Sequence, residues 1–154
     1  FFFLFRLLLC MSVEQLRCVL ADVDLRDIYE EYLHQNLAWE NFGFYVEVEK
    51  FKKMRRKAKR KQQAAYIYHT FIKRGAKRGL GDLDHATRTK FQELVDEDPV
   101  PDMFDDLLEC VLGSLASATI HGFLNDPSFT AHVGDQFPHL HAENQKINAK
   151  SLDA

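Results

Sequence analysis

Between Phe104 and Leu115 the apolar residues fall at Phe104, Leu107, Leu108, Val111, Leu112 and Leu115, which is the complete i, i+3, i+4, i+7, i+8, i+11 template of a helix with one buried face. A strand cannot use such a pattern, because alternate side chains of a strand point to opposite faces. Stripes of the same kind recur elsewhere. Leu37, Asn41, Phe44, Val48 and Phe51 make one, widened by Phe42, Tyr45 and Val46. Polar Asn41 sits inside that apolar run beside Glu40, where an apolar residue would pack more favourably, and so asks for a functional reason. No run alternates with period two between turn signals at both ends. The chain reads as all-α. Its 154 residues and 46% hydrophobic content suit one domain that buries a core without disulfide or metal staples.

Punctuation divides the remaining segments. Ser12 and Gln15 form a capping box ahead of Leu16, Val19 and Leu20. Asp24 is placed to cap a helix over residues 25–34, with Ile28, Tyr32 and Leu33 inward. Residues 35–38 read as a turn into the Glu40–Asn41 helix. Periodicity resumes at Ala64, Ala65, Ile67, Tyr68, Phe71 and Ile72 and is stopped by Gly79 and Gly81. Asp84 caps a helix over 85–95, and residues 96–102 make a proline-punctuated turn. A break at Ala116–Ala118 precedes a short stripe of Ile120, Phe123 and Leu124. Residues 1–11 are an apolar flank, too short to span a bilayer and without the basic start or cleavage site of a signal peptide. The expected division is therefore a flank outside the fold at 1–11, a domain at 12–133 and a loose tail at 134–154.

Chemistry is sparse. No glycine-rich phosphate loop or His-Glu-x-x-His helix is present. Cys18 and Cys110 read as small core residues. Three cysteines without short paired spacing suit a reducing compartment. His132, His139 and His141 fall at the tail and read as solvated. No catalytic residue, metal or cofactor is expected. Nine of the twelve residues from Lys50 to Lys61 are Lys or Arg, with no acid among them. That run is either a continuous helix or a connector. Lys52, Lys53, Arg55, Arg56 and Lys57 give it a basic face suited to an anionic membrane surface or calmodulin. Nucleic acid is not expected, because aromatic residues are not interleaved through the run.

The stretch Trp39-Glu40-Asn41-Phe42-Gly43-Phe44-Tyr45-Val46-Glu47-Val48-Glu49-Lys50-Phe51-Lys52-Lys53 resembles the signature helix of the regulator of G-protein signalling (RGS) domain family. Other blocks follow in register. Residues 65–72 are similar to the family's Ile-Tyr…Phe-Ile helix, and Leu83-Asp84 with Thr87-Arg88 to its Asn-Leu-Asp…Thr-Arg turn. Phe104-Asp105-Asp106 and Phe123-Leu124 are similar to later markers. The resemblance implies a bundle of about nine helices that binds a G-protein α subunit in its transition-state-like GTP form. Such a domain is a GTPase activator of its partner and not an enzyme, and its expected place is the cytoplasm, including the inner face of the plasma membrane.

Carried over position by position, the resemblance implies contacts from Glu40, Asn41, Asp82, Leu83, Asp84 and Thr119. Asp82 stands where the family has a loop asparagine, and a carboxylate cannot donate as an amide does. The family's acidic residue, serine and arginine before Phe-Leu fall on Ala118, Thr119 and Gly122, and its tyrosine and serine before Glu-Asn on Leu37 and Ala38. The expectation is an RGS-like domain with weak or lost GTPase-activating activity. The alternative is a non-activating scaffold or membrane- or calmodulin-binding module using the basic face at 50–61. Lys53 lies about 18 Å beyond Asn41 along a helix, so the two surfaces are separate.

Overall fold

A computed structural model describes residues 2–36, 38–81 and 83–133, with side chains from Ser12 to His132. The fold is all-α. Its helices are α1 (Phe2–Ala21), α2 (Val23–Gln35), α3 (Trp39–Lys53), α4 (Lys57–Ile67), α5 (His85–Asp96), α6 (Asp105–Leu115), α7 (His121–Leu124) and α8 (Pro127–Val133). In two five-residue π-turns, Tyr68–Ile72 after α4 and Ala116–Ile120 after α6, the helix widens as i→i+5 hydrogen bonds replace i→i+4 ones. The residues divide into two compact units. One combines the chain up to Ala38 with the chain from Gly113 onward, and the other is Trp39–Leu112.

The central unit is built on phenylalanines that the helical stripes bring inward. Phe104 stacks on Phe91 at 5.4 Å between ring centroids and meets the rings of Phe51 and Phe44 edge-on at 5.1 and 6.3 Å. Phe71 meets Phe44 edge-on at 5.8 Å. All five rings are buried, and each contributes about 1.5–3 kcal/mol relative to exposure. In the other unit α1 packs on the π-turn Ala116–Ile120. Tyr29, Tyr32, Phe123 and Phe129 form its aromatic core, with Tyr29 and Phe123 at 4.9 Å and Phe123 and Phe129 at 5.0 Å.

Several local expectations change. α1 begins at Phe2, so Ser12 lies inside a helix and is not its N-cap; no glycine or proline interrupts the apolar run before it. The cap of α2 is Asp22, whose carboxylate accepts from the Leu25 amide at 3.0 Å, and not Asp24. Helix α4 and its π-turn end at Ile72, before the expected glycine stop, and Gly75 follows with φ 73°, a left-handed conformation that glycine adopts without strain. The break expected at Ala116–Ala118 is a change of pitch without a helix end. Continuous helix over Asp105–Leu124 is long and apolar enough to cross a membrane, but its stripe is core, with Val111, Leu112, Leu115, Ile120 and Phe123 buried. Cys18 and Cys110 are exposed, because Leu16, Val19 and Leu20 on α1 and Leu107, Leu108 and Val111 on α6 take the inward positions. The expected tail 134–154, with His139 and His141, lies outside the described residues; His132 is exposed.

Candidate functional site

Helix α3 starts at Trp39, so Glu40 and Asn41 occupy its first turn. Glu40 is exposed and Asn41 half-buried. The next residues are taken by the core, since Phe42, Gly43 and Phe44 are all buried. Gly43 keeps room for the indole of Trp39, one turn earlier: a Cβ there would meet the ring at 3.0 Å. Over the same indole lies the Arg78 guanidinium, 3.4 Å from the ring centroid and 5.9 Å from the ring of Phe71. A cation so placed over an indole contributes about 0.5–2 kcal/mol. Arg78 belongs to the loop between the first π-turn and α5, and that loop is pinned at its middle. The Arg78 amide donates to Thr70 O at 3.2 Å, and the Leu80 amide to Phe71 O at 2.8 Å. The Trp39–Arg78 contact ties the start of α3 to the segment that leads to Leu83 and Asp84.

Asp84 then caps α5. Its Oδ1 accepts from the Thr87 amide at 2.6 Å. Hydrogen bonds from Thr87, side chain first and backbone second, with lesser help from Arg88 and His85, hold the Asp84 carboxyl below the usual carboxylate range. Leu83 is half-buried beside it. Asp82 lies outside the described residues. Glu40, Asn41, Leu83 and Asp84 thus sit at the beginnings of α3 and α5 in one compact unit. Periodicity located those helix starts; it could not locate the Trp39–Arg78 contact that ties one to the other.

Thr119 has a different environment. It sits in the second π-turn with 5% of its surface exposed. Its hydroxyl donates to Leu115 O at 2.7 Å and lies 2.6 Å from the Tyr29 hydroxyl. A threonine has one hydroxyl proton, so Tyr29 is the donor to Thr119. Burial holds the Tyr29 phenol far above its usual pKa, keeping it a donor. Gly122, the second residue of the next helix, faces the Tyr32 hydroxyl. A Cβ on Gly122 would collide with that oxygen. Ala118 is exposed and Ala38 half-buried, and Leu37 is outside the described residues.

The basic run is a connector between two helices, broken at residues 54–56. Arg60 folds back onto the break, donating to Met54 O from Nε at 3.2 Å and Nη2 at 2.5 Å. Acids from elsewhere in the unit answer part of the charge. Lys52 pairs with Asp105 at 2.8 Å and Lys57 with Asp98 at 2.5 Å. The hydrogen bond from Lys52 to Asp105 raises the Lys52 pKa. Lys53, Arg55 and Arg56 are exposed.

The family model described as Regulator of G protein signaling domain matches residues 15–132. The chain is 27% identical over 104 residues to Regulator of G-protein signaling 10 of Homo sapiens, covering 68% of this chain and 56% of that protein. It therefore spans little more than half the length of that relative. The chain belongs to the RGS domain family.

Proposed function

We propose that this chain binds the α subunit of a heterotrimeric G protein as GTP hydrolysis nears its transition state, with weak or no acceleration of hydrolysis. The Trp39–Arg78 contact carries the reading, because it joins the helix start bearing Glu40 and Asn41 to the loop bearing Leu83 and Asp84. Glu40 accepts and Asn41 donates hydrogen bonds to the partner's switch backbone. Such a domain contributes no reacting group. It holds mobile switch segments so that the partner's own groups stay aligned on water and γ-phosphate. Asp82 opposes this task, because an acid beside a phosphoryl-transfer site adds repulsion where an amide would donate. Thr119, with its hydroxyl committed internally, acts in this reading by shaping the helix around it. Removing a charged or hydrogen-bonded group from an interface costs on the order of 1–3 kcal/mol, so the absence of several reduces activity steeply.

Single-turnover GTP hydrolysis by several α subunits, with pull-down against their aluminium-fluoride state, tests the proposal. Binding with little acceleration is expected, with Asp82→Asn raising the rate. Absence of binding to every α subunit sinks the proposal, and strong acceleration at micromolar domain sinks its second half. The alternative membrane or calmodulin role is favoured by the exposure of Lys53, Arg55 and Arg56. At about 1 kcal/mol per cation near an anionic surface, three give weak recruitment alone. That suits a domain brought to the cytoplasmic face of a membrane by its partner. Co-sedimentation with anionic liposomes, with salt varied, measures it.

A further inference from the structure

A cleft of about 410 Å³ opens beside α5, lined by Tyr68, Lys73, Arg74, His85, Arg88 and Gln92, with Thr89 between the last two. Its volume is within the range of small-molecule sites. Residues 85, 88, 89 and 92 follow the i, i+3, i+4, i+7 spacing of one face of α5, so a helix side forms one wall. Lys73 and Arg74, just after the first π-turn, supply cations opposite it. Among the described residues no Asp or Glu lines the cleft. The acids adjacent in sequence to lining residues are Asp84, engaged as the cap of α5, and Glu93, which does not line the cleft. The Arg88 Nε is buried and has no hydrogen-bond partner. A guanidinium N–H withdrawn from water and left without an acceptor is costly, and an oxyanion is the acceptor that best removes the cost.

We propose that this cleft binds a phosphomonoester, with Arg88 as the inner ligand and Lys73 and Arg74 neutralising the dianion. The site is the lateral face of α5 and not its N-terminus, where Asp84 already caps the Thr87 amide. Guanidinium suits a phosphoryl group because its paired N–H donors match two oxygens at once. The proposal stands apart from the G-protein reading, since it concerns a ligand of this chain alone.

Amide NMR of the isotope-labelled full chain, titrated with glycerol 2-phosphate, tests it. Saturable shifts centred on residues 73–74 and 85–92 are expected. Lys73→Gln with Arg74→Gln, both on exposed positions, should weaken binding about tenfold or more. Arg17→Gln with Lys77→Gln removes the same charge at exposed positions that do not line the cleft and should leave binding within about twofold. Vesicles containing phosphatidic acid, compared with phosphatidylglycerol at equal charge, give the second arm. Cleft-dependent binding to the soluble probe supports a free phosphorylated ligand; cleft-dependent binding to phosphatidic acid alone supports a lipid headgroup. Equal binding to both lipids, equal loss in the two double variants, or absence of binding in both arms overturns the proposal.

Discussion

The start of α3 and the π-turn Ala116–Ile120 both carry positions where the family resemblance implies partner contacts, and they have opposite fates. At α3 the polar residues stand outside the core: Glu40 is exposed and Asn41 half-buried, while Phe42 and Phe44 turn inward. At the π-turn the polar residue has gone inside, and Thr119 spends its hydroxyl on Leu115 and Tyr29. In the helix that continues from this π-turn the arginine position is Gly122, and the Tyr32 hydroxyl occupies the space a side chain would need. One region leaves its polar groups reachable, and the other commits its hydroxyl to internal packing. On the proposed reading, the two positions therefore differ in what they offer a partner while both rest on a buried core.

Substitutions that read binding and stability separately break the comparison most directly. Asn41→Ala should weaken binding to an aluminium-fluoride-locked α subunit by about 1–3 kcal/mol, roughly fivefold to 150-fold, with thermal stability nearly unchanged. Equal affinity of wild type and variant would remove α3 from the interface. Gly122→Ala should cost about 1–3 kcal/mol of stability through overpacking against Tyr32. The close atom is the Tyr32 hydroxyl, and the next ring carbon lies 3.6 Å from where the new Cβ would sit, so Tyr32→Phe should remove that cost. Combined with Tyr32→Phe, the alanine should even gain from its better helix propensity. Denaturant unfolding of the four-member cycle measures the coupling; additive effects would show that Tyr32 does not fill the arginine position.

Thr119→Val reverses the pattern expected for Asn41. It removes the buried hydrogen bonds to Tyr29 and Leu115 and leaves the Tyr29 hydroxyl without its acceptor, so stability should fall by about 1–3 kcal/mol while α-subunit affinity stays within a factor of about two. A large affinity loss without a stability loss would move Thr119 from the core to the interface.

Local chemistry made part of this legible from the residues alone. The α3 stripe and the Asp84 cap depend on neighbours within one or two turns. Asp84 caps α5 as read, and Phe42, Phe44, Val48 and Phe51 of the stripe are buried, while Asn41, Tyr45 and Val46 are half-buried and Leu37 lies outside the described residues. The fate of Thr119 depends on pitch. A π-turn adds a residue to the helical repeat and rotates the residues beyond it, so a 3.6-residue template carried through 116–120 cannot say which side chain ends inside. The Trp39–Arg78 contact joins residues far apart in sequence through a loop without periodicity. The exposure of Cys18 and Cys110 was illegible for a similar reason: residue type favours burial, but the neighbouring leucines and valines fill the inward positions.

The smallest expected effect concerns how the α5 end of the candidate surface is fixed. Asp84 has its carboxyl held below the usual range by Thr87, so the folded state binds that proton less readily than the unfolded chain. The stabilisation is fully present above the unfolded pKa of about 3.9 and disappears as pH falls through the lower folded value. Asn is also a good N-cap but has no charge to titrate. Asp84→Asn should therefore keep α5 capped near neutrality while flattening the acid limb of stability. Thermal unfolding measured from about pH 7 down to about pH 2.5 should show wild type losing more than the variant below about pH 4, with parallel curves above it. Parallel curves throughout would mean that the cap contributes no pH-dependent stability, and that Leu83 and Asp84 are positioned by the Arg78 anchor alone.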